Sequence, residues 1–187
     1  MRHVIVRTMR NDDEFANWYG ALWPRVLRAV TVSVGDADLA EEATAEAFVK
    51  ALVRWPKPLE YDAPMGWLHT VAVNEVRSRW RRAKLERRVM DRLSAEIRQH
   101  APPPETRDDA LWTAVGALPD RARQVVAMRY VLDLPEAQIA ASLGITRGTV
   151  ASTLSSARKR LSTVLAPSHT ESGQHELART TTREELS

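Results

Sequence analysis

The residues of this chain that could bind a nucleic acid or a charged protein lie in three separate blocks. Eight bases and three acids fall between Glu75 and Arg92, and four bases without an acid fall between Ser142 and Leu165. Two separated basic blocks favour two contacts with a polyanion. The segment from Asp36 to Glu46 holds five acids and no base, which favours a basic partner. Each block taken alone also fits a solvated helix face.

The second basic block belongs to a segment, Glu136 to Ser155, whose spacing predicts a helix-turn-helix. Ala140 lets two helices cross closely, and Gly144 provides the positive φ that the turn requires. Val150 packs the second helix onto the first, and Thr146 is a suitable N-cap for it. The alternative is an ordinary helical hairpin with a polar exposed face.

The exposed face predicted for this second helix combines short polar side chains with bases. Such side chains allow close approach to DNA, donate hydrogen bonds to base edges and neutralise phosphates. At 100° per residue, the face opposite the apolar stripe, with its flanks, carries Arg147, Thr149, Ser152, Ser155, Ser156, Arg158, Lys159 and Arg160.

The composition excludes several classes of protein. The chain has 187 residues, of which 44% are hydrophobic and 27% charged, as in ordinary globular domains. The absence of cysteine excludes disulfide scaffolds, thiolate metal sites and cysteine nucleophiles. The five histidines have no metal-ligand spacing, and the chain lacks a glycine-rich phosphate loop and a nucleophile motif. We therefore expect no catalytic activity, no metal and no cofactor.

The sequence also predicts that the protein does not insert into a membrane. It contains no run of 18 apolar residues, and its basic N-terminus lacks the apolar region of a signal peptide. We expect a cytoplasmic protein.

Apolar residues at helical spacing and few glycines predict an all-α fold with two small helical domains. The first domain spans 1–86 and the second spans 108–166. Between them, 87–107 forms a linker that contains three consecutive prolines, which cannot lie inside a helix. The polar tail, 167–187, is expected to be disordered. The predicted helices are 14–29, 40–51, 64–88, 108–118, 120–132, 134–143 and 147–165.

Several segments in a fixed order carry a resemblance to a known family. An acidic helix, Ala40 to Ala51, is followed by a proline-containing loop and a basic helix, Trp67 to Lys84. In the second half, Ala117 to Val126 precedes the helix-turn-helix. From about Asp12 to Leu165, the chain resembles the extracytoplasmic-function (ECF, group IV) sigma factors of bacterial RNA polymerase. The resemblance implies a σ2-like domain and a σ4-like domain.

The resemblance implies three functional surfaces. The acidic helix would dock on a basic coiled coil of the polymerase clamp, although its acids also suit the helix dipole; they are Glu41, Glu42 and Glu46. The σ2-like domain would recognise the −10 element through Tyr61, Asp62, Asn74, Arg77, Trp80, Arg81 and Lys84. Trp80 is expected to be exposed and either stacks on an unpaired base or packs against another subunit or the linker. The loop that carries Tyr61 and Asp62 also fits a plain connector.

The helix-turn-helix would recognise the −35 element in duplex DNA. The candidates for base contacts are Arg147, Thr149, Ser152, Thr153 and Ser156. The candidates for phosphate contacts are Arg158, Lys159 and Arg160.

The implied partners are core RNA polymerase, promoter DNA and, as a candidate, an anti-sigma factor. A stand-alone helix-turn-helix regulator is the main alternative, but it would leave the acidic helix, the basic helix and the linker unexplained. A purely protein-binding helical module would leave both basic faces unexplained.

Overall fold

The computed structural model describes residues 2–90 and 109–165, with side chains described for 12–85 and 111–163. These residues form seven α-helices and one short 3₁₀ helix, and they contain no strand, which confirms the all-α prediction. The α-helices are α1 (Arg2–Val34), α2 (Ala37–Val53), α3 (Pro64–Met90), α4 (Asp109–Gly116), α5 (Asp120–Tyr130), α6 (Glu136–Leu143) and α7 (Arg147–Leu165); the 3₁₀ helix is Lys57–Glu60.

The helices α1, α2 and α3 form the first half of the protein and enclose one apolar core. Val26 and Val30 of α1 pack against Phe48 of α2 and Leu68 of α3, and all four side chains are buried. At one end of this core, aromatic rings pack edge to face, with the Trp18 and Phe48 centroids 5.6 Å apart. These contacts hold α2 and α3 side by side and fix which of their faces remain exposed.

The break between α1 and α2 lies where the sequence predicts it. Gly35 has a φ of +78°, which glycine adopts without steric cost, and the Asp36 side chain caps α2 by accepting the Leu39 N–H at 3.0 Å. However, α1 extends well beyond the predicted 14–29. Its last turns are stabilised by tertiary packing, because Val30 and Val34 are buried in the core.

The predicted linker begins inside a helix in this structure. Residues 87–90 continue α3, since the segment from Arg87 to Met90 contains neither glycine nor proline to end it. The remaining linker residues through 107, and the whole tail 167–187, lie outside the described residues.

The helices α4 to α7 form the second half around another core. Val125 and Met128 of α5, Ile139 of α6 and Val150 and Leu154 of α7 are buried together there. Ala29 of α1 also belongs to this cluster, so α1 contacts both cores. The two halves therefore pack against each other in this structure.

A histidine is buried between α1 and α3. The His69 imidazole is fully buried, and its Nε2 lies 2.8 Å from Ser33 Oγ. Because the Ser33 hydroxyl donates to the Ala29 carbonyl, Nε2–H donates to Ser33 and Nδ1 has no hydrogen-bond partner. Burial lowers the pKa of His69 to about 4; the Ala29 carbonyl opposes this shift, and the Arg77 charge adds to it.

We expect acid to destabilise the protein through His69. In the unfolded chain the imidazole has its ordinary pKa of about 6.5, so the unfolded state binds a proton that the folded state excludes. The contribution of neutral His69 to the free energy of unfolding is therefore fully present above pH 6.5. It is lost as the pH falls to 4, and the total loss is about 3 kcal/mol. Urea unfolding at several pH values should show that the free energy of unfolding falls less steeply toward low pH in His69→Gln than in the wild type. An unchanged slope would contradict this assignment.

Candidate nucleic-acid interface

The helices α6 and α7 form the predicted helix-turn-helix. Gly144 ends α6 with a φ of +62°, and its N–H is directed at the Ala140 and Ala141 carbonyls. Thr146 caps α7 by accepting the Thr149 N–H at 3.1 Å. Val150 is fully buried against α6, so the opposite face of α7 points away from the second core.

The exposed face of α7 carries the predicted DNA contacts. Among the eight candidates for base and phosphate contacts on α7, every side chain is exposed except that of Thr153, which is half-buried. The Ser152 and Thr153 hydroxyls donate to the Thr149 carbonyl, at 3.1 and 2.6 Å, and keep their acceptor lone pairs available. This surface is short, polar and basic, as a helix in the major groove requires.

An open cleft of about 300 Å³ runs beside this face, between α7 and the start of α5. Ser152, Ser156 and Arg160 line one wall, and Arg121 of α5 lines the other. The Arg121 guanidinium donates to the Leu143 carbonyl at 2.9 Å, which ties α5 to the end of α6. The sequence alone does not indicate Arg121, because only the packing of α5 on α7 brings it to this surface.

The predicted −10 residues lie on the loop before α3 and along α3. The Tyr61 ring packs against Trp67, with centroids 5.3 Å apart, and Asp62 is exposed. The Asp62 carbonyl accepts a hydrogen bond at 2.8 Å from Gln138 of α6. On α3, Asn74, Arg81 and Lys84 are exposed, and Arg81 donates to Ser78 Oγ.

The expectation that Trp80 is exposed is wrong. Trp80 is only partly exposed and packs against the first core, and Arg77 is half-buried as well. The reason is that the buried stripe of α3 continues at helical spacing through Val73 and Val76 to Trp80. The side chain that was predicted to lie among the exposed bases of α3 thus belongs to the edge of the first core.

The three acids of α2 are exposed, but they differ in their surroundings. Glu42 forms an ion pair with Arg79 of α3, whereas Glu41 and Glu46 lie on the same exposed face. A second ion pair joins Lys50 to Glu75 of α3. Because Glu42 also helps to hold α2 on α3, its role is not restricted to docking, and Glu41 and Glu46 are the more specific docking candidates.

An apolar patch continues the acidic face toward the end of α2. Val49, Leu52 and Val53 are 55%, 49% and 79% exposed, respectively. The helical spacing of the apolar residues in α2 predicts that Val49 and Leu52 belong to its apolar stripe, but the structure directs both to the surface. Val49 follows Glu46 by three residues and precedes Leu52 by three, and this continuity of one helix face is the signal that could have revealed them.

Models of the sigma-70 family match both halves of the chain. The region 2 model matches residues 18–86, and the region 4 model matches residues 108–161. The chain belongs to the extracytoplasmic-function group of the sigma-70 family. The two family regions contain the acidic face of α2, the basic face of α3 and the helix-turn-helix described above.

Individual relatives agree with this family. The chain is 26% identical over 148 residues to the RNA polymerase sigma-E factor of Streptomyces coelicolor, across 79% of this chain and 84% of that protein. Its fold resembles the sigma factor RpoE of Bartonella quintana, solved in complex with the anti-sigma factor NepR. That match has a TM-score of 0.64 at 22% identity and covers 83% of this chain and 98% of the other.

Two further features of the described residues bear on function. No group of three or more metal-ligating side chains occurs among them. In the same residues, no helix is both long and apolar enough to span a bilayer.

Proposed function

We propose that this sigma factor binds core RNA polymerase and directs it to promoters by recognising −10 and −35 elements. The observation that carries the proposal is the presence, in one chain, of three exposed surfaces with suitable chemistry. These are the acidic and apolar face of α2, the basic face of α3 and the polar, basic face of α7. RNA synthesis itself belongs to the polymerase.

In this proposal the first half, within 1–86, docks on the polymerase clamp and contacts the −10 element. Asn74 and Arg81 contact DNA along α3, and the loop that carries Tyr61 and Asp62 accepts an unpaired base. The ring of Tyr61 rests on Trp67, which supports it as a wall of such a pocket. Capturing unpaired bases helps to offset the cost of melting, which is about 1.4 kcal/mol per stacked step.

The second half, within 108–166, contacts the −35 element through α7. Arg147, Ser152 and Ser156 face base edges, and Lys159 faces the phosphate backbone. Neither half needs to bind DNA tightly alone, because docking on one polymerase gives each half a high effective concentration at its own element. This arrangement makes promoter recognition conditional on the polymerase.

The proposal extends to the partners and the compartment. The structural relative from Bartonella quintana is bound to an anti-sigma factor, which supports such a partner here. The exposed apolar patch of Val49, Leu52 and Val53 is a suitable surface for it, as it is for the polymerase. We place the protein in the cytoplasm with its polymerase.

Run-off transcription with purified core polymerase and genomic fragments tests this function. We expect transcripts that depend on the protein and start downstream of a shared pair of sequence elements. Core polymerase alone is the control for background initiation. If no transcript depends on the protein and it does not co-purify with core, the proposal is wrong. A footprint on DNA without polymerase would then favour a stand-alone regulator that uses α7 alone.

A further inference from the structure

The fold explains several of the glycines in the described helices and turns. Gly35 and Gly144 have φ values of +78° and +62°, which other residues rarely adopt. Gly66 of α3 lies so close to Ser142 of α6 that a Cβ on Gly66 would overlap the Ser142 Oγ. A helical glycine with neither a positive φ nor such a neighbour requires another explanation.

Gly148, in the first turn of α7, has no such explanation inside the protein. It is exposed and its φ is not positive. The nearest atom to an added Cβ is Thr146 Oγ1 at 3.8 Å, which is an ordinary van der Waals contact. Glycine is less favourable in a helix than alanine is. The chain thus carries a glycine that its own fold disfavours, and this points to a partner that occupies the space of the missing side chain.

Gly148 lies at the centre of the surface that we assign to DNA. Successive residues turn by about 100° around an α-helix, which places Gly148, Ser152, Ser155 and Lys159 in one row opposite the buried Val150. Along this row the side chain lengthens from none at Gly148, through two serines, to a lysine. Because the N-terminal residues of a recognition helix contact base edges, this order fits a helix whose N-terminal end lies deepest in the groove.

The chemistry of the major groove identifies what Gly148 can contact. A residue without a side chain offers no side-chain donor or acceptor, so it can only make room for a group that protrudes from the base pairs. The 5-methyl group of thymine is the apolar group that the major groove exposes, beside hydrogen-bond donors and acceptors. A donor or acceptor against a bare Cα would lose water without gaining a partner, which is unfavourable. A methyl group has no such cost.

We propose that Gly148 is a specificity-determining residue that recognises one thymine of the −35 element. Its Cα packs against the 5-methyl group of that thymine, and a Cβ at this position would occupy the space of the methyl group. The inference rests on the proposed promoter function, because it assigns one base of the element that α7 contacts.

Removing the methyl group from the DNA tests this contact, since uracil is thymine without it. The probes are promoter duplexes in which one thymine of the −35 element, on either strand, is replaced by uracil. Binding of the full-length protein together with core polymerase is measured on each. Gly148→Ala adds the single methyl group that uracil removes, and Gly148→Val adds a larger side chain. Gly116→Ala is the control, because Gly116 of α4 also has no atom within 4 Å of an added Cβ.

On the unmodified promoter we expect Gly148→Ala to weaken binding by roughly 10- to 100-fold, as one methyl group inserted into a close-packed contact does. One uracil duplex should restore the binding of this variant to within about fivefold of the wild type. The same duplex should weaken the wild type by about fourfold, because one buried methyl group is lost. Gly148→Val should bind weakly to every duplex, and Gly116→Ala should behave as the wild type does.

The stability of the free protein separates this role from a structural one. Gly148→Ala should raise the urea concentration at the midpoint of unfolding, because alanine favours the helix and its Cβ has room. Stability and promoter binding therefore change in opposite directions.

Three results would overturn the thymine contact. They are wild-type binding of Gly148→Ala to the unmodified promoter, a defect that no uracil duplex relieves, and a −35 element without thymine in either strand. A wild-type protein that does not bind promoters together with core polymerase would instead overturn the proposed function, and with it the inference.

Discussion

Reversing two charges on α2, Glu41→Lys with Glu46→Lys, should weaken binding to core polymerase by roughly 10- to 100-fold. Both side chains are exposed on the face that we assign to the basic clamp, so each attraction becomes a repulsion. Glu42 is left unchanged, because its ion pair with Arg79 also holds α2 against α3. The affinity is measured by competition with a labelled wild-type protein at fixed ionic strength.

The matched control reverses two acids elsewhere on the same half. Asp12→Lys with Asp13→Lys changes the net charge by the same amount on an exposed part of α1. Circular dichroism should show that both double variants keep their helix content. Raising the salt concentration should reduce the difference in affinity for core polymerase between the α2 variant and the wild type. Equal affinities of the two variants would contradict the docking role of α2.

Two substitutions on α7 should have effects of different kinds. Arg147→Ala should weaken binding to the preferred −35 element by roughly 5- to 100-fold and relax the preference at one base pair, since a good base contact contributes about 1–3 kcal/mol of discrimination. Lys159→Ala should weaken binding to every sequence alike and lower the slope of log affinity against log salt by about 1. Both side chains are exposed and lie outside the buried core.

The measurement is polymerase-dependent promoter binding, at several salt concentrations, to a set of fragments that differ only in the −35 element. Each variant serves as the control for the other, because both remove one positive charge from the same helix. If Arg147→Ala keeps the full sequence preference, that side chain does not contact a base. If Lys159→Ala changes the preference, its role is not confined to phosphate.

Local sequence determines much of this protein. The capping by Asp36 and Thr146, and the positive φ at Gly35 and Gly144, follow from residue types and spacing. These signals depend on interactions between residues a few positions apart, which any chain with this order forms. They are sufficient to place most helices and the helix-turn-helix, and hence the family resemblance that the comparisons confirm.

The direction of side chains that lie between a core and the solvent depends on tertiary packing. Trp80 and Val49 illustrate the two errors: the tryptophan turns toward the core, and the valine turns away from it. Helical periodicity gives an angle around one helix axis, but the exposed sector depends on where the neighbouring helices lie. The pairing of Glu42 with Arg79, 37 residues apart, depends on the same packing.

The sequence by itself thus determined the helices, their caps, the two basic surfaces and the acidic surface of α2. Only the tertiary structure decided which residues of α1 contact the second half, and that Gly66 lies against Ser142. The physical reason is that a contact between distant segments depends on the shape of both surfaces at once. The residues next to a helical glycine do not indicate that a side chain 76 positions away in the sequence packs against it.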